Sequence, residues 1–337
     1  MTDNIRLAHG FGGRLTQELL DELILPALSG REGHAITLDA ALIEDIETPL
    51  AFSTDSFTIS PIFFPGGDIG KLAVCGTLND VAMIGARPRY LSLSLLIEEG
   101  LPLDDLRRVM ASIGDTCRGQ GVEVVTGDTK VLERGALDKL FINTTGIGPR
   151  LTGPLGPAQV REGDAILISG TIGDHGAAIL NEREQMGFRG ELKSDCAPLW
   201  PIVQAAHEAA ADKLHALRDP TRGGLAATLN EFATDTGLQY VIQEQNLPIR
   251  DDVAAFLEVL GLDPLPLANE GKCLLFVDPS AAGDVLDAVR SAPYGENATQ
   301  IGHVEPAKRR GRVVLQTAIG TRRVIEMPLE AGLPRIC

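Results

Sequence analysis

The chain has 337 residues, 44% of them hydrophobic, which excludes extensive disorder and suggests two domains at the usual ~150 residues each. Its formal charge of −16 would repel a nucleic-acid backbone or an anionic membrane, so we expect neither as a partner. No signal-peptide pattern opens the sequence, and no apolar run approaches the ~20 residues of a membrane span. We therefore expect a cytoplasmic protein.

Taken in chain order, the first half predicts a mixed α and β domain over residues 1–150. Runs rich in β-branched residues predict strands at 50–54, 90–97, 122–126 and 140–147, and amphipathic patterns predict helices at 69–85 and 103–119. Residues 148–163 concentrate glycine and proline without periodicity. We expect the domain boundary there.

The second half predicts an α/β domain over residues 151–328. Strands are expected near 164–170, 238–243, 272–277, 299–304 and 312–316, and helices from about 174 and at 199–211, 224–236, 253–260 and 281–291. Residues 329–337 contain two prolines and a glycine and show no period. We expect this tail to be extended and mobile in at least one state.

The cysteines and histidines indicate neither a disulfide framework nor a zinc site. Five cysteines form no CxxC pair, and six histidines show no ligand spacing. Cys75 and Cys273 lie in apolar segments typical of buried thiols. Cys337 differs because it is the last residue of the sequence.

Three acidic residues are expected at strand ends or turns: Asp55 in FSTDSF, Asp80 in GTLNDVAM and Asp128 in VTGDTK. Each is flanked by small or hydroxyl residues, and carboxylates brought together without basic partners normally hold a hard cation such as magnesium. Any one of these residues alone would be interpreted as a turn residue or a helix cap, and it is the presence of three that favours a shared site. Asp39 in TLDAALI is a weaker fourth candidate.

Glycine and lysine motifs offer candidate phosphate contacts. The stretch HGFGGR contains Gly10, Gly12 and Gly13, whose backbone N–H groups could surround phosphate oxygens. It lacks a P-loop or dinucleotide pattern, so a plain glycine turn is the alternative. Lys71 lies near the first turn of a predicted helix, as a phosphate contact or a solvated lysine. Lys130, two residues beyond Asp128, is either a base in the same cavity or a surface lysine.

Two motifs of the second half carry polar residues next to buried elements. ALRDPTRGGL places Asp219, Thr221, Arg222 and two glycines before a predicted helix. Asp219 or Thr221 can cap the helix, and Gly223 with Gly224 allows a close backbone turn. PLANEGK places Glu270 in a turn that feeds a buried strand. That carboxylate is either a solvated turn residue or a group presented at the start of the strand.

Together these motifs resemble the family of HypE hydrogenase maturation factors, which are carbamoyl dehydratases. The resemblance runs through essentially the whole chain, and its segments are FSTDSFTISPIFFPGGDIGKLAVCGTLNDVAM, TGDTKV, KLFINTTGIG, SGTIGDHGAAIL, SDCAPLW, ALRDPTRGG, GLDPL, ANEGK and PRIC. PRIC is the most specific element. The acidic and glycine motifs are shared with families that resemble aminoimidazole ribonucleotide synthetase and selenophosphate synthetase.

The resemblance implies an α+β fold in which the N-terminal domain forms a homodimer through its sheet and the C-terminal domain packs against it. ATP with Mg²⁺ would lie in the N-terminal domain near the dimer interface. The metal would be held or the phosphates oriented by Asp39, Asp55, Asp80 and Asp128. Nucleotide contacts would come from Gly10, Gly12, Gly13, Lys71, Asn79 and Thr129.

The resemblance also implies a role for the last residue. A HypF-like carbamoyltransferase would attach a carboxamide to the Cys337 thiol, and ATP-dependent dehydration would convert it to a thiocyanate. Lys130 and Glu270 are the candidates for proton removal, with the order between them open. A HypC–HypD-like complex would then accept the cyanide for the iron of nickel-iron hydrogenase.

Two alternatives remain open on the sequence. The chain could be another ATP-dependent enzyme of the same superfamily, a phosphotransferase or a synthetase acting on a free small molecule. It could also be a nucleotide-responsive scaffold without chemistry.

Overall fold

The computed structural model describes residues 4–6, 9, 18–28, 49–308 and 310–328. Its first half contains a four-stranded sheet in the order β1-β6-β4-β5, a short hairpin and two long helices. The elements are β1 Leu50–Phe57, β2 Phe63–Phe64, β3 Gly67–Asp68, α1 Ile69–Met83, β4 Tyr90–Glu98, α2 Leu103–Gln120, β5 Glu123–Leu132 and β6 Leu140–Pro149. Short helical turns, Leu20–Ile24 and Leu25–Leu28, precede them.

One face of this sheet packs on the helices and the other face is open. Along β6 every second residue is buried and its neighbours are half-buried, as expected of a strand with one covered face. The covered face includes Thr144, whose hydroxyl donates to the carbonyl of Ala73 in α1 at 3.1 Å. On the open face Phe52 is 68% exposed. The sheet therefore has a helix-covered side and an uncovered side.

The second half contains a seven-stranded sheet in the order β13-β12-β9-β11-β7-β10-β8. Neighbouring strands pair antiparallel except β9 and β12, which run parallel. The elements are β7 Ala165–Ile168, α3 Asp174–Arg183, α4 Trp200–Ala210, β8 Leu214–Arg218, α5 Gly224–Thr236, β9 Gln239–Gln243, α6 Asp251–Leu260, β10 Leu274–Val277, α7 Ala282–Ser291, β11 Thr299–Glu305, β12 Arg312–Gln316 and β13 Arg322–Ile325. Single 3-10 turns lie at Pro157–Gln159, Ala211–Lys213 and Glu244–Asn246.

Helix α1 contributes to the hydrophobic cores of both halves. Leu72, Cys75 and Leu78 belong to the cluster beneath the first sheet. Ala82 and Met83, in the last turn, belong to a second cluster with residues of β7, α4 and α7. No helix of the described residues is long and apolar enough to cross a membrane.

The predicted mixed α and β class is confirmed, and the structure corrects the placement of the three aspartates. None lies at a strand end or turn. Strand β1 continues past Asp55, which is paired with Thr144, and strand β5 continues past Asp128, which is paired with Ser94. Asp80 lies within α1, so it is not a helix cap.

Candidate active site

A pocket with an empty volume of about 390 Å³ lies where β1 and α1 meet two loops of the second half. It is lined by Asp55, Ser56 and Phe57 of β1, Gly76 and Asp80 of α1, Asp219, Thr221 and Arg222 of the β8–α5 loop, and Glu270 before β10. The lining thus contains four carboxylates and one cationic side chain.

Asp80 projects into the pocket from α1. The hydroxyl of Ser53 donates to its Oδ2 at 2.8 Å, which fixes the carboxylate against β1. Burial is the main reason that the pKa of Asp80 is raised above its ordinary value, and the nearby charge of Asp55 raises it further. A cation near both carboxylates would relieve this strain between like charges.

Asp219 is 7% exposed and faces the same pocket from the second half. Burial raises the pKa of its carboxyl to about 7, and the charges of Asp80 and Asp55 add to the increase. Each of the three carboxylates comes from a different element, so tertiary folding brings the group together.

Arg222 is the one cationic side chain in the pocket lining. One of its terminal nitrogens lies 3.3 Å from Oδ1 of Asp55, and its side chain is 74% exposed. An ion pair this exposed is weak, so the guanidinium is available to an incoming anion at little cost.

The β8–α5 loop needs its two glycines. Gly223 and Gly224 have φ of +73° and +56°, and a Cβ on Gly224 would lie 2.4 Å from the carbonyl oxygens of Leu265 and Leu267. Helix α5 has Gly223 as its N-cap and no side-chain cap. The alternative that Asp219 or Thr221 caps this helix is therefore wrong, because the loop turns through glycine conformations that leave both side chains on the pocket.

Glu270 is 4% exposed, so the alternative of a solvated turn residue is wrong. Its backbone N–H donates to Oδ1 of Asp195 at 3.1 Å, and that of Gly271 donates to Oδ2 at 3.2 Å. No role for Asp195 was predicted from the sequence. The sequence signal for Asp195 is that it is the single acidic residue of SDCAPLW, one of the segments that carry the family resemblance.

Asn79, predicted to contact the nucleotide, is buried between the two halves. Its amide nitrogen donates to the carbonyls of Ala197 at 3.1 Å and Glu270 at 3.4 Å, and its oxygen accepts the N–H of Leu199 at 2.8 Å. In this arrangement the amide bonds to protein backbone, and a nucleotide contact stays a prediction.

The predicted residues of β5 lie apart from the pocket of the same chain. Asp128 and Lys130 are exposed, and their register partners Ser94 and Leu96 place them on the open face of the sheet. Asp55 lies on the covered face, and its strand is at the opposite edge, three strand spacings or about 14 Å away. Thr129 alternates to the covered face of β5 and is likewise absent from the pocket lining.

Lys71 lies in the first turn of α1, as predicted, and its ammonium donates to the carbonyl of Gly66 at 3.1 Å. It is absent from the pocket lining, whose first residue in this helix is Gly76, about one and a half turns further along. Five predicted residues lie outside the described residues: Gly10, Gly12, Gly13, Asp39 and Cys337.

Asp219 and Arg222 belong to the pocket lining although the sequence did not predict them as site residues. Their signal was the DPTRGG segment, whose paired glycines indicated a close backbone turn. The local sequence does not show which residues lie next to that turn in the folded chain. Only the packing of the second half against α1 brings the loop beside Asp80 and Asp55.

Comparisons with known proteins agree with this two-part architecture. The model of the family "AIR synthase related protein, N-terminal domain" matches residues 38–149, and that of "AIR synthase related protein, C-terminal domain" matches residues 161–314. Together they cover more than half of the chain. We retain the division into 1–150, 151–328 and the tail 329–337 as a proposal.

Relatives and solved structures extend the match to the whole chain. The carbamoyl dehydratase HypE of Escherichia coli (strain K12) is 48% identical over 99% of this chain and all of that protein. A crystal structure of the hydrogenase maturation protein HypE in complex with ATP has a TM-score of 0.93 at 48% identity, covering 98% of this chain and 99% of that one. HypE in a HypE–HypF complex has a TM-score of 0.80 at 43% identity, covering 83% and 90%.

Full-length identity at this level confirms both the resemblance found in the sequence and the prediction of an enzyme. The chain therefore belongs to the HypE family of carbamoyl dehydratases, built from the two domains of the AIR synthase related proteins.

Proposed function

We propose that the chain uses ATP to dehydrate a carboxamide carried on the Cys337 thiol, giving a thiocyanate that supplies the cyanide ligand of nickel-iron hydrogenase. The solved relative in complex with ATP supports the choice of nucleotide. The observation that carries the proposal is the position of Pro328, which lies beside a loop that lines the carboxylate pocket.

Pro328 is the last described residue, and its ring lies against the loop that lines the pocket. A Cβ built on Gly223 would be 4.0 Å from Cγ of Pro328, and the preceding Arg222 belongs to the pocket lining. The nine residues 329–337 can span at most about 30 Å when extended. Cys337 is thus within reach of the pocket.

The reaction balances without an oxidant. The carboxamide oxygen attacks the γ-phosphorus of ATP and ADP leaves. The carbon–oxygen bond then breaks with release of phosphate, and loss of two N–H protons leaves the carbon–nitrogen triple bond. Activation by phosphoryl transfer is needed because phosphate is a far better leaving group than the oxygen of an amide.

Glu270 and Lys130 are our candidates for removing the two protons. Glu270 is buried at the pocket, where a carboxylate can receive a proton from a bound substrate. General base catalysis of this kind is worth about 10² to 10⁴ in rate. Arg222 and the loop glycines would bind phosphate oxygens.

The carboxylates fit a magnesium ion that arrives with the nucleotide. Among the described residues no group of three or more ligand side chains is already arranged around a metal position. Magnesium commonly uses one or two carboxylates plus substrate phosphates, so Asp55, Asp80 and Asp219 are sufficient as a set. A bound magnesium ion would neutralise negative charge on the phosphoryl group.

Lys130 and Asp128 face away from the pocket of their own chain, so we propose a homodimer joined through the open sheet faces. The open face carries Phe52 at 68% exposure, an apolar side chain that a second copy would cover. In this dimer Lys130 of the partner subunit would complete the site that contains Glu270.

The partners follow from the chemistry at Cys337. The solved complex of a HypE relative with HypF supports a HypF-like carbamoyltransferase as the protein that loads the thiol. A HypC–HypD-like iron complex would accept the cyanide.

The test is intact-protein mass after the purified chain is incubated with ATP, Mg²⁺ and the carbamoyl donor system. We expect addition of a carboxamide followed by loss of one water, both absent in Cys337→Ser. Turnover of ATP that persists after deletion of residues 329–337 would contradict the proposal and favour an enzyme with a free substrate. Binding of ATP with neither mass change would favour a scaffold.

A further inference from the structure

Asn79 and Asp80 are consecutive residues of α1 with different surroundings. Asp80 lies at the pocket, half-buried. Asn79 is 2% exposed and bonds to the second half. Because consecutive helical side chains are about 100° apart, one helix can carry a pocket carboxylate and a contact to the other half at the same height.

The partner of Asn79 is the segment that precedes α4. The amide oxygen accepts the N–H of Leu199 at 2.8 Å and the amide nitrogen donates to the carbonyl of Ala197 at 3.1 Å. These two hydrogen bonds fix the position of the segment both along the axis of α1 and across it. They use donor and acceptor at once, which a carboxylate in the same place could not do.

The same segment holds the turn of Glu270. Asp195, two residues before Ala197, accepts the N–H groups of Glu270 and Gly271, and its side chain is 3% exposed. The ammonium of Lys272 lies 3.7 Å from its Oδ2 and balances the buried charge. A Cβ on Gly271 would lie 1.8 Å from the carbonyl oxygen of Asp195, so the turn and the segment are in direct backbone contact.

We propose that Asn79 is a positioning residue that fixes Glu270 relative to Asp80, acting through the 195–199 segment. The chain of contacts runs from Asn79 to Ala197 and Leu199, then through Asp195 to the backbone of Glu270, with a direct but longer contact of 3.4 Å from Asn79 to the Glu270 carbonyl. The inference rests on the proposed function, in which phosphoryl transfer occurs at Asp80 and proton removal at Glu270.

The test variant is Asn79→Asp, which keeps the shape and the acceptor but replaces the donor by an oxygen. Its matched control is Asn246→Asp, because Asn246 also donates its amide to a backbone carbonyl, that of Gln300, away from the pocket. In single turnover of the carbamoylated chain we expect dehydration to slow about 10- to 100-fold in Asn79→Asp, since small misplacements of a catalytic group cost this much. A loss of ATP affinity as large as the loss of rate would overturn the inference and favour the nucleotide contact predicted for Asn79.

A double variant separates positioning from general destabilisation. Because Asn79 acts through Glu270, Asn79→Asp should slow a Glu270→Gln chain by less than about three-fold. Multiplicative losses, or an unchanged rate in Asn79→Asp alone, would overturn the inference. If Asn79→Asp does not fold, Asn79→Ser takes its place in the same cycle, because it removes the two hydrogen bonds of the Asn79 amide without adding a charge.

Amide hydrogen exchange gives a readout independent of activity. Asn79→Asp should lower protection at the Glu270 and Gly271 amides, which bond to Asp195 and not to Asn79, while Asn246→Asp leaves them unchanged. Unaltered protection in Asn79→Asp would sink the inference. A wild-type chain that never dehydrates its carboxamide would instead contradict the proposed function, leaving the exchange result to decide the positioning role.

Discussion

At the pocket, burial and mutual repulsion act on the carboxylates that we propose as cation ligands. The pKa of Asp80 and that of Asp219 are both raised, chiefly by burial, and Asp55 contributes to each. A carboxylate whose charged form is disfavoured in the folded state lowers the stability of the cation-free protein. A bound cation relieves that cost, so the same carboxylate increases the affinity of the site for a cation. The site is therefore expected to gain stability when ATP and magnesium bind.

Asp80→Asn removes one of these charges without changing side-chain volume. We expect ATP turnover to fall about 100-fold, because a charge-stabilising group is lost from the transfer site. The thermal midpoint without magnesium should be equal or higher, since a buried charge is removed. Asp235→Asn, the same change at an exposed position of α5, is the control and should leave both quantities unchanged. Wild-type turnover in Asp80→Asn would exclude Asp80 as a ligand.

The pKa of Asp219 predicts a pH dependence of stability. Its folded value of about 7 exceeds the ordinary 3.8, so the folded state binds more protons than the unfolded state in between. The contribution of Asp219 to stability should be complete below about pH 4 and be lost as the pH rises toward about pH 7, by at most about 4 kcal/mol at roughly 1.4 kcal/mol per pH unit.

Denaturant unfolding of the magnesium-free chain at several pH values measures this dependence. Asp219→Asn should flatten the curve between about pH 4 and about pH 7, with the largest gain over wild type at the higher pH. Asp287→Asn, at a side chain that is 83% exposed, should run parallel to wild type. If the curve for Asp219→Asn ran parallel to that of wild type, the Asp219 carboxyl would have an ordinary pKa.

Among the elements, those with a strong local signal were predicted from the sequence. Helix α5 was expected at 224–236 and spans Gly224–Thr236, because Gly223 and Gly237 adopt left-handed conformations at its two ends. Strand β5 was predicted six residues too short at its C-terminal end. Its continuation, through Leu132, depends on pairing with β4, which is not visible in the local pattern.

The two strands missed in the second half are β8 and β13, which form the two edges of the seven-stranded sheet. Edge strands tolerate charge and polarity, and the sequences LHALR and RRVI show little of the alternation that marks a strand. Prediction of the site from the sequence was limited in the same way. Local motifs indicated Asp55, Asp80 and Glu270, whereas the contribution of Asp219 depends on how β8 and α1 pack.

The Glu270 turn leads to a prediction for Gly271→Ala. The added Cβ would lie 1.8 Å from the Asp195 carbonyl oxygen, so the turn must move, at a cost of about 1–3 kcal/mol, and dehydration should slow. Gly119→Ala is the control, because that helical glycine has nothing within 4 Å and alanine favours helix. Denaturant unfolding should show opposite signs for the two variants. Equal stability of Gly271→Ala and wild type would contradict the close contact.

For the whole molecule, the separation of Lys130 from Glu270 predicts complementation between subunits. Lys130→Ala and Glu270→Ala chains should each be slow alone. In a proposed heterodimer, one site would combine Glu270 of one subunit with Lys130 of its partner, so a random mixture should recover about a quarter of wild-type activity. The measurement is dehydration after the two variants are unfolded together and refolded. No recovery in mixtures of confirmed heterodimers would mean that one chain supplies both residues.

Helix α1 has Leu72, Cys75 and Leu78 in one hydrophobic core and Ala82 and Met83 in the other. If either half unfolded, α1 would leave the hydrophobic core of the other half and expose apolar surface there. The two halves should therefore melt in one cooperative transition, with equal calorimetric and van't Hoff enthalpies, although each has its own sheet. For the same reason, a protease cut between residues 150 and 164 should leave two fragments that elute together.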